Sequence, residues 1–246
     1  MRRVALFFAL LLPLTACRAP AGVPEVPRES PAAGQRSETP DTLLPPDPEP
    51  LPAPDPEPAE PVVEPADTDF VRVADYIPDI LIDLRYAGEN NFTGGAIYEF
   101  SDAYLRYGTV KKLRTVQAAL EEQGYGLLLW DAFRPVSAQF VLWEACPDGG
   151  YVSDPNRGFS SHSRGNTVDA TLVTAAGEPV EMPTDFDDFT PLAHRDCGGV
   201  PESAAAHARL LAEAMEAAGF CPYQKEWWHF SDSDGYDVEE TFSPCP

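Results

Sequence analysis

The chain has 246 residues, with 40 Asp+Glu against 17 Lys+Arg for a formal charge of −23, and 43% of its residues are hydrophobic and 11% aromatic. That apolar content is enough to bury a core, and the length suits one or two domains. A charge this negative argues against a nucleic-acid partner, because phosphate binding needs Lys and Arg to displace counterions, and against a polybasic contact with anionic lipid.

The first predicted element is an export signal. Arg2 and Arg3 form a charged start, and Val4 to Leu14 is an apolar stretch too short to span a bilayer as a mature helix. The run Leu14-Thr15-Ala16-Cys17 resembles a bacterial lipoprotein signal, which sets a signal peptide at residues 1–16 and makes Cys17 the acylated first residue of the mature chain. A tether follows to Asp67. From Arg18 to Asp67 it holds 15 of the 27 prolines and 11 acids against 3 arginines, including Pro46-Asp47-Pro48-Glu49-Pro50 and Pro54-Asp55-Pro56-Glu57-Pro58. Such a chain favours extended polyproline II and lacks the apolar content to fold. A spacer of this kind makes sense if one end is fixed in a membrane.

Residues 68–246 are one domain's worth of chain. Apolar runs at Ile80–Leu84, Gly126–Trp130 and Val168–Val173 predict buried strands. Helical periodicity covers Val110–Leu120, with Leu113, Val116, Ala119 and Leu120 on one side and Gly124 beyond the end. A second helix is predicted from Ser137. A third runs from Ser203 to Ala218, with Ser203 as N-cap, Leu210, Leu211, Ala214 and Met215 as the buried stripe, and Gly219 as the stop. Strands and helices mix without regular alternation, which predicts an α+β fold and not a doubly wound sheet. Besides Cys17, the four cysteines Cys146, Cys197, Cys221 and Cys245 predict two disulfides in an exported domain, with the pairing open. No CxxC pair exists to suggest a Cys₄ zinc site.

Two of the four histidines sit in unusual company. His162 lies in Ser160-Ser161-His162-Ser163-Arg164-Gly165-Asn166-Thr167-Val168-Asp169, and His229 in Glu226-Trp227-Trp228-His229. His207 falls among alanines in the third helix and is read as solvated, and His194 as a loop residue. Two imidazoles and a carboxylate, His162, His229 and Asp169, can hold zinc with a fourth position open for water. Glu226 stands three residues before His229, placed to move that water's proton to a leaving amine. Taken singly the fragments are weak, since an ExxH occurs by chance in many proteins.

The combination is more specific. Ser160 to Asp169 resembles the SxHxxGxxxD signature, and Glu226 to His229 the ExxH, of the zinc peptidases that include VanX-type D-alanyl-D-alanine dipeptidases, D-Ala-D-Ala carboxypeptidases and the hedgehog fold. Arg85 to Gly94 resembles the YAxxxNFTG segment of the VanX branch, Gly124 to Pro135 its GYGLLLWDGYRP, and Met182 to Asp187 its MGxxFD. The matches run in the same order from about Tyr76 to Phe230. The resemblance implies a single zinc-peptidase domain with a central, mostly antiparallel sheet flanked by helices. It implies one zinc ion on His162, Asp169 and His229, Glu226 as general base and acid, and Arg134 at the developing oxyanion. Asp187 would hold the substrate's free amine, and Ser160 and Tyr86 match substrate-contacting positions. Pro183 replaces the Gly of MGxxFD, Ala132-Phe133 replace Gly-Tyr, and Thr167 stands where Ala is common.

The expected function is hydrolysis of D-Ala-D-Ala by a lipid-anchored enzyme of the bacterial envelope, in peptidoglycan turnover or D-alanine salvage. The alternatives are a D,D-carboxypeptidase or L,D-endopeptidase acting on longer muropeptides, and a non-catalytic zinc-dependent binding protein. A pure binder would need neither Glu226 nor Arg134.

Overall fold

A computed structural model describes residues 63–244. The signal segment, Cys17, most of the predicted tether and Cys245 lie outside the described residues. No helix among the described residues is long and apolar enough to cross a membrane.

The strands are β1 (Phe70–Arg72), β2 (Leu81–Ile82), β3 (Tyr104–Arg106), β4 (Tyr125–Asp131), β5 (Thr167–Thr174), β6 (Phe220–Pro222) and β7 (His229–Asp232). The helices are α1 (Tyr107–Glu121), α2 (Val136–Ala145) and α3 (Glu202–Ala217). Five strands form the main sheet in the order β2-β4-β5-β7-β6, and β1 and β3 form a separate antiparallel pair. Within the main sheet only β2–β4 is parallel. The fold is therefore α+β with a mostly antiparallel sheet, as the mixed order of elements implied.

The middle strand explains its own sequence. Thr167 to Val173 of β5 is buried throughout, so both faces are covered; Val168, Ala170, Leu172 and Val173 are apolar, while Thr167, Asp169 and Thr171 are polar and also buried. On α1, Leu113, Val116 and Leu120 are fully buried in the core. Ala119 is exposed, contrary to the periodic reading, and Gln117 takes the inward position. Its Oε1 accepts the Leu127 N–H at 2.9 Å, so a polar residue on the core face satisfies the strand beside it. The left-handed φ of +82° at Gly124 and +94° at Gly219 carries the chain off α1 and α3, a conformation that glycine adopts freely.

α3 begins one residue before the predicted cap. Pro201 occupies the N-cap, and the Ser203 hydroxyl donates to Glu181 instead of capping the helix. Its buried stripe is Ala204, Ala205, Ala208, Leu211 and Met215, with Leu210 and Ala214 on the flank. His207 is engaged, its Nδ1 donating to the Glu181 carbonyl at 2.7 Å, so it is not simply a solvated helix residue.

The two-disulfide expectation fails. Among the described residues Cys146, Cys197 and Cys221 form no disulfide with one another, yet two bridges among four cysteines would have to pair two of these three. They stand at the end of α2, before α3 and on β6, on separate elements that do not bring two thiols together.

Candidate active site

Strand register does most of the assembly. Asp131 of β4 lies opposite Asp169 of β5, and Asp169 opposite His229 of β7, so three polar side chains form a row across three strands. The β4–β5 register shifts between Leu129 and Asp131, a bulge that re-aims the end of β4.

His162 reaches this row from a 3₁₀ turn, Ser161–Arg164. The Ser160 hydroxyl caps the turn by accepting the His162 N–H at 3.3 Å. Gly165 ends it at φ +74°, and a Cβ there would run into the Phe70 ring. Glycine is thus required twice over at this position. His162 Nδ1 lies 2.8 Å from the Ala132 carbonyl, which can only accept, so Nδ1 carries the hydrogen and Nε2 keeps its lone pair. That Nε2 is 3.4 Å from Asp169 Oδ2 and 3.4 Å from His229 Nδ1. His229 Nδ1 is in turn 2.9 Å from Asp169 Oδ1.

One ligand atom from each of His162, Asp169 and His229 can be chosen so that all lie within 4.8 Å of one another. Two imidazole nitrogens and a carboxylate, with His162 and Asp169 buried and His229 partly so, converge and fit a zinc ion in donor type and number. Burial pushes the Asp169 carboxyl up, but the facing His162 and His229 outweigh it and hold the group below the usual carboxylate range. The donor stays ionised.

Glu226 sits on the turn between β6 and β7, pinned by the fully buried Trp227 and Trp228 beside it. The Trp227 indole donates to Thr184 at 2.9 Å. Glu226 Oε2 is 3.5 Å from His229 Nδ1. Burial, with the charges of Asp169 and Asp187, raises its carboxyl to about 7 against the pull of His229 and Arg134.

Arg134 follows β4 and is held rigidly. Its Nε and Nη2 donate to Asp131 Oδ2 at 3.0 and 2.7 Å, and Nη1 donates to Gln139 at 2.9 Å. Asp131 also accepts the Tyr98 hydroxyl at 2.8 Å and the Ala132 N–H at 2.9 Å. Three of the five guanidinium N–H donors are thereby used, which leaves two for a ligand. Nη2 lies 3.9 Å from Asp169 Oδ2, beside the proposed metal donors.

Asp187 comes from the loop after Met182. Its φ of +57° is unusual for a residue with a side chain, and backbone strain of this kind clusters at functional sites. The Tyr86 hydroxyl donates to its two carboxylate oxygens at 3.1 Å each. Burial, then the neighbouring Asp169, raises the Asp187 carboxyl to about 7. Pro183 does not turn this loop out of the site.

The eight side chains singled out in the sequence, Tyr86, Arg134, Ser160, His162, Asp169, Asp187, Glu226 and His229, all line one cleft of about 380 Å³. Cys17 lies outside the described residues. The sequence reading did not single out Asp131 or Gln139, which fix Arg134. Asp131 stood in plain view three residues before Arg134. It also missed three rings on the cleft wall: Phe92 meets Phe189 at 5.2 Å, and Phe189 meets Tyr151 at 4.9 Å. These come from three separate loops, and no local pattern announces their contact.

The chain is similar to several known proteins. The chain is 37% identical over 163 residues to a D-alanyl-D-alanine dipeptidase of Escherichia coli (strain K12), covering 66% of this chain and 84% of that one. It is 36% identical over 187 residues to one of Streptomyces coelicolor, covering 66% and 91%. It is 34% identical over 181 residues to one of Enterococcus faecalis, covering 65% and 90%. Among solved structures, the LdcB LD-carboxypeptidase gives a TM-score of 0.40 at 19% identity, over 73% of this chain and 72% of that one. VanYB in complex with D-alanine-D-alanine gives 0.37 at 14%, over 54% and 73%. The Peptidase_M15 family, described as D-Ala-D-Ala dipeptidase, matches residues 66–245, and the chain belongs to that peptidase family.

Proposed function

We propose that this peptidase is a zinc-dependent dipeptidase that hydrolyses D-Ala-D-Ala to two D-alanines. The observation that carries the reading is the convergence of His162, Asp169 and His229 beside Glu226 and Arg134, with Asp187 on the wall of the same cleft. Those three residues would hold a zinc ion, which would supply Lewis-acid chemistry to the scissile carbonyl and the attacking water.

The chain's own groups do the rest. Glu226, with its carboxyl near 7, takes a proton from the attacking water and returns it to the leaving amine. Arg134, fixed by Asp131 and Gln139, directs its two remaining N–H groups at the oxyanion of the tetrahedral intermediate. A donor already fixed before reaction favours the transition state over the ground state. The Asp187 carboxylate, steadied by Tyr86, receives the substrate ammonium, and Ser160 contributes to the wall the dipeptide touches.

A carboxypeptidase of longer muropeptides would need the amine side open. The carboxylate of Asp187 and the wall rings Phe92, Phe189 and Tyr151 weigh against it. The setting proposed is the bacterial envelope, with Cys17 acylated, the Pro-rich segment as tether and peptidoglycan turnover as the source of substrate.

The test is purified protein assayed on D-Ala-D-Ala and on an acylated muropeptide pentapeptide, with and without chelator. The expected result is rapid cleavage of the dipeptide alone, abolished by chelator and restored by zinc. His162→Ala and His229→Ala should lose both bound metal and turnover. Either variant keeping stoichiometric zinc would show that the ligands are wrong.

A further inference from the structure

Arg195 lies two residues after the 3₁₀ turn Pro191–Ala193, and its guanidinium is directed at two backbone carbonyls although the chain carries 40 acidic side chains. Nε donates to the Tyr223 carbonyl at 2.8 Å, and Nη2 donates to the His229 carbonyl at 2.8 Å. The group stacks on the next side chain of β7, with Cζ 4.2 Å from the centre of the Phe230 ring.

Those two carbonyls mark the ends of the loop joining β6 to β7. The loop carries Glu226 in its middle and closes on His229. The Tyr223 N–H donates to the same His229 carbonyl at 3.1 Å, so that oxygen is held from two directions. The backbone around Arg195 continues the lacing: its N–H donates to the Gln224 carbonyl at 3.1 Å, and the Trp227 N–H donates to the Ala193 carbonyl at 3.0 Å. A guanidinium presents its donors in a rigid planar fork, so bridging two carbonyls fixes their relative position, which a single flexible ammonium does not do.

We propose that Arg195 is a positioning residue: it clamps both ends of the Tyr223–His229 loop and so sets the Glu226 carboxylate and the His229 imidazole relative to Asp169 and His162. The proposal rests on the zinc-dipeptidase reading. Arg195 is not among the residues lining the cleft, and its effect passes through the peptide planes of the loop. Residues that orient metal ligands from behind typically matter by about 10- to 100-fold in metal affinity or activity.

The experiment compares full-length wild type with Arg195→Ala, Arg195→Lys and, as a control, Arg209→Ala, whose guanidinium makes a surface ion pair with Glu202. Zinc affinity is measured by competition with a chromophoric chelator, and kcat and KM on D-Ala-D-Ala at saturating zinc. Arg195→Ala should bind zinc about 10- to 100-fold more weakly. Its kcat should fall while KM stays unchanged, because Glu226 is misplaced and the Asp187 side is untouched. Arg195→Lys should recover part of both losses, and Arg209→Ala should show neither.

A folded Arg195→Ala protein with wild-type zinc affinity and kcat overturns the clamp, even if its melting temperature falls. If Arg195→Ala does not fold, Arg195→Lys decides, since it keeps the stem and charge over Phe230 but loses the fork: weakened zinc binding supports the clamp, and wild-type affinity overturns it. Failure of the wild type itself to bind zinc removes the reading on which the clamp rests. A zinc-binding wild type with indifferent Arg195 variants removes only the clamp.

Discussion

Asp187→Asn offers the sharpest test of substrate selection. Position 187 has φ +57°, a conformation asparagine tolerates, so the change removes charge while keeping shape and backbone. Hydrogen bonds to charged groups contribute about 1.5–3 kcal/mol, which corresponds to about 10- to 150-fold in kcat/KM. The variant should lose that factor on D-Ala-D-Ala and almost nothing on N-acetyl-D-Ala-D-Ala, which has no ammonium to offer.

The pH dependence follows from the same carboxyl. With its pKa near 7, Asp187 is protonated in acid and cannot pair with an ammonium. The ratio of kcat/KM for free over acetylated dipeptide should therefore rise as pH passes about 7. It should fall again as the substrate amine deprotonates near about 8. Taking the ratio cancels the titration of Glu226, which acts on both substrates. Folding raises the pKa of Asp187, so the folded state binds more protons and loses stability as pH rises from the carboxyl's unfolded pKa through about 7. Asp187→Asn should accordingly melt higher than wild type at pH values above that. Steady-state kinetics on the two substrates from pH 5.5 to 9 is the assay. A wild-type ratio near one, or an Asp187→Asn ratio equal to wild type, would refute the amine-binding role.

On the proposed mechanism Glu226 moves protons and does not bind metal, so Glu226→Gln should retain zinc, measured by metal analysis, yet lose on the order of 10²–10⁴ in kcat; loss of zinc would make it a ligand. Asp131→Asn should slow turnover, since Arg134 loses the charge that both its Nε and Nη2 address, while zinc content stays at wild-type level; unchanged kcat would mean that Gln139 alone holds the guanidinium. Phe189→Ala breaks the Phe92–Phe189–Tyr151 contact and should raise kcat/KM on the tripeptide D-Ala-D-Ala-D-Ala relative to the dipeptide; an unchanged ratio would show that these rings do not limit length. Cys17→Ser should move the protein from the membrane to the soluble fraction when cells are fractionated, and unchanged fractionation would refute acylation as the anchor.

Local sequence carried much of this molecule. The strands β4 and β5 were legible because the buried sheet centre draws apolar runs, Leu127 to Trp130 and Leu172-Val173 among them, and α1 and α3 because their leucines recur at helical spacing before a glycine. The cleft residues were legible for a different reason. The proposed zinc chemistry would demand particular side chains, and a 3₁₀ turn closed by Gly165 or a turn anchored by paired tryptophans keeps them at short, recognisable spacings. Where local patterns failed, long-range partners had decided. Gln117 is buried because β4 needs an acceptor for the Leu127 N–H, and Ser203 leaves the cap because Glu181 lies beside it.

By itself, the sequence determined the class of fold and put forward the residues that the proposed chemistry would use. Only the tertiary structure decided how they meet: the cross-strand row Asp131–Asp169–His229, the locking of Arg134 by Asp131 and Gln139, the three rings on the cleft wall and the Arg195 fork across the Glu226 loop. Such contacts join residues far apart in the chain through register and backbone carbonyls. They depend on geometry common to all residue types, and so leave no mark in a local pattern of letters.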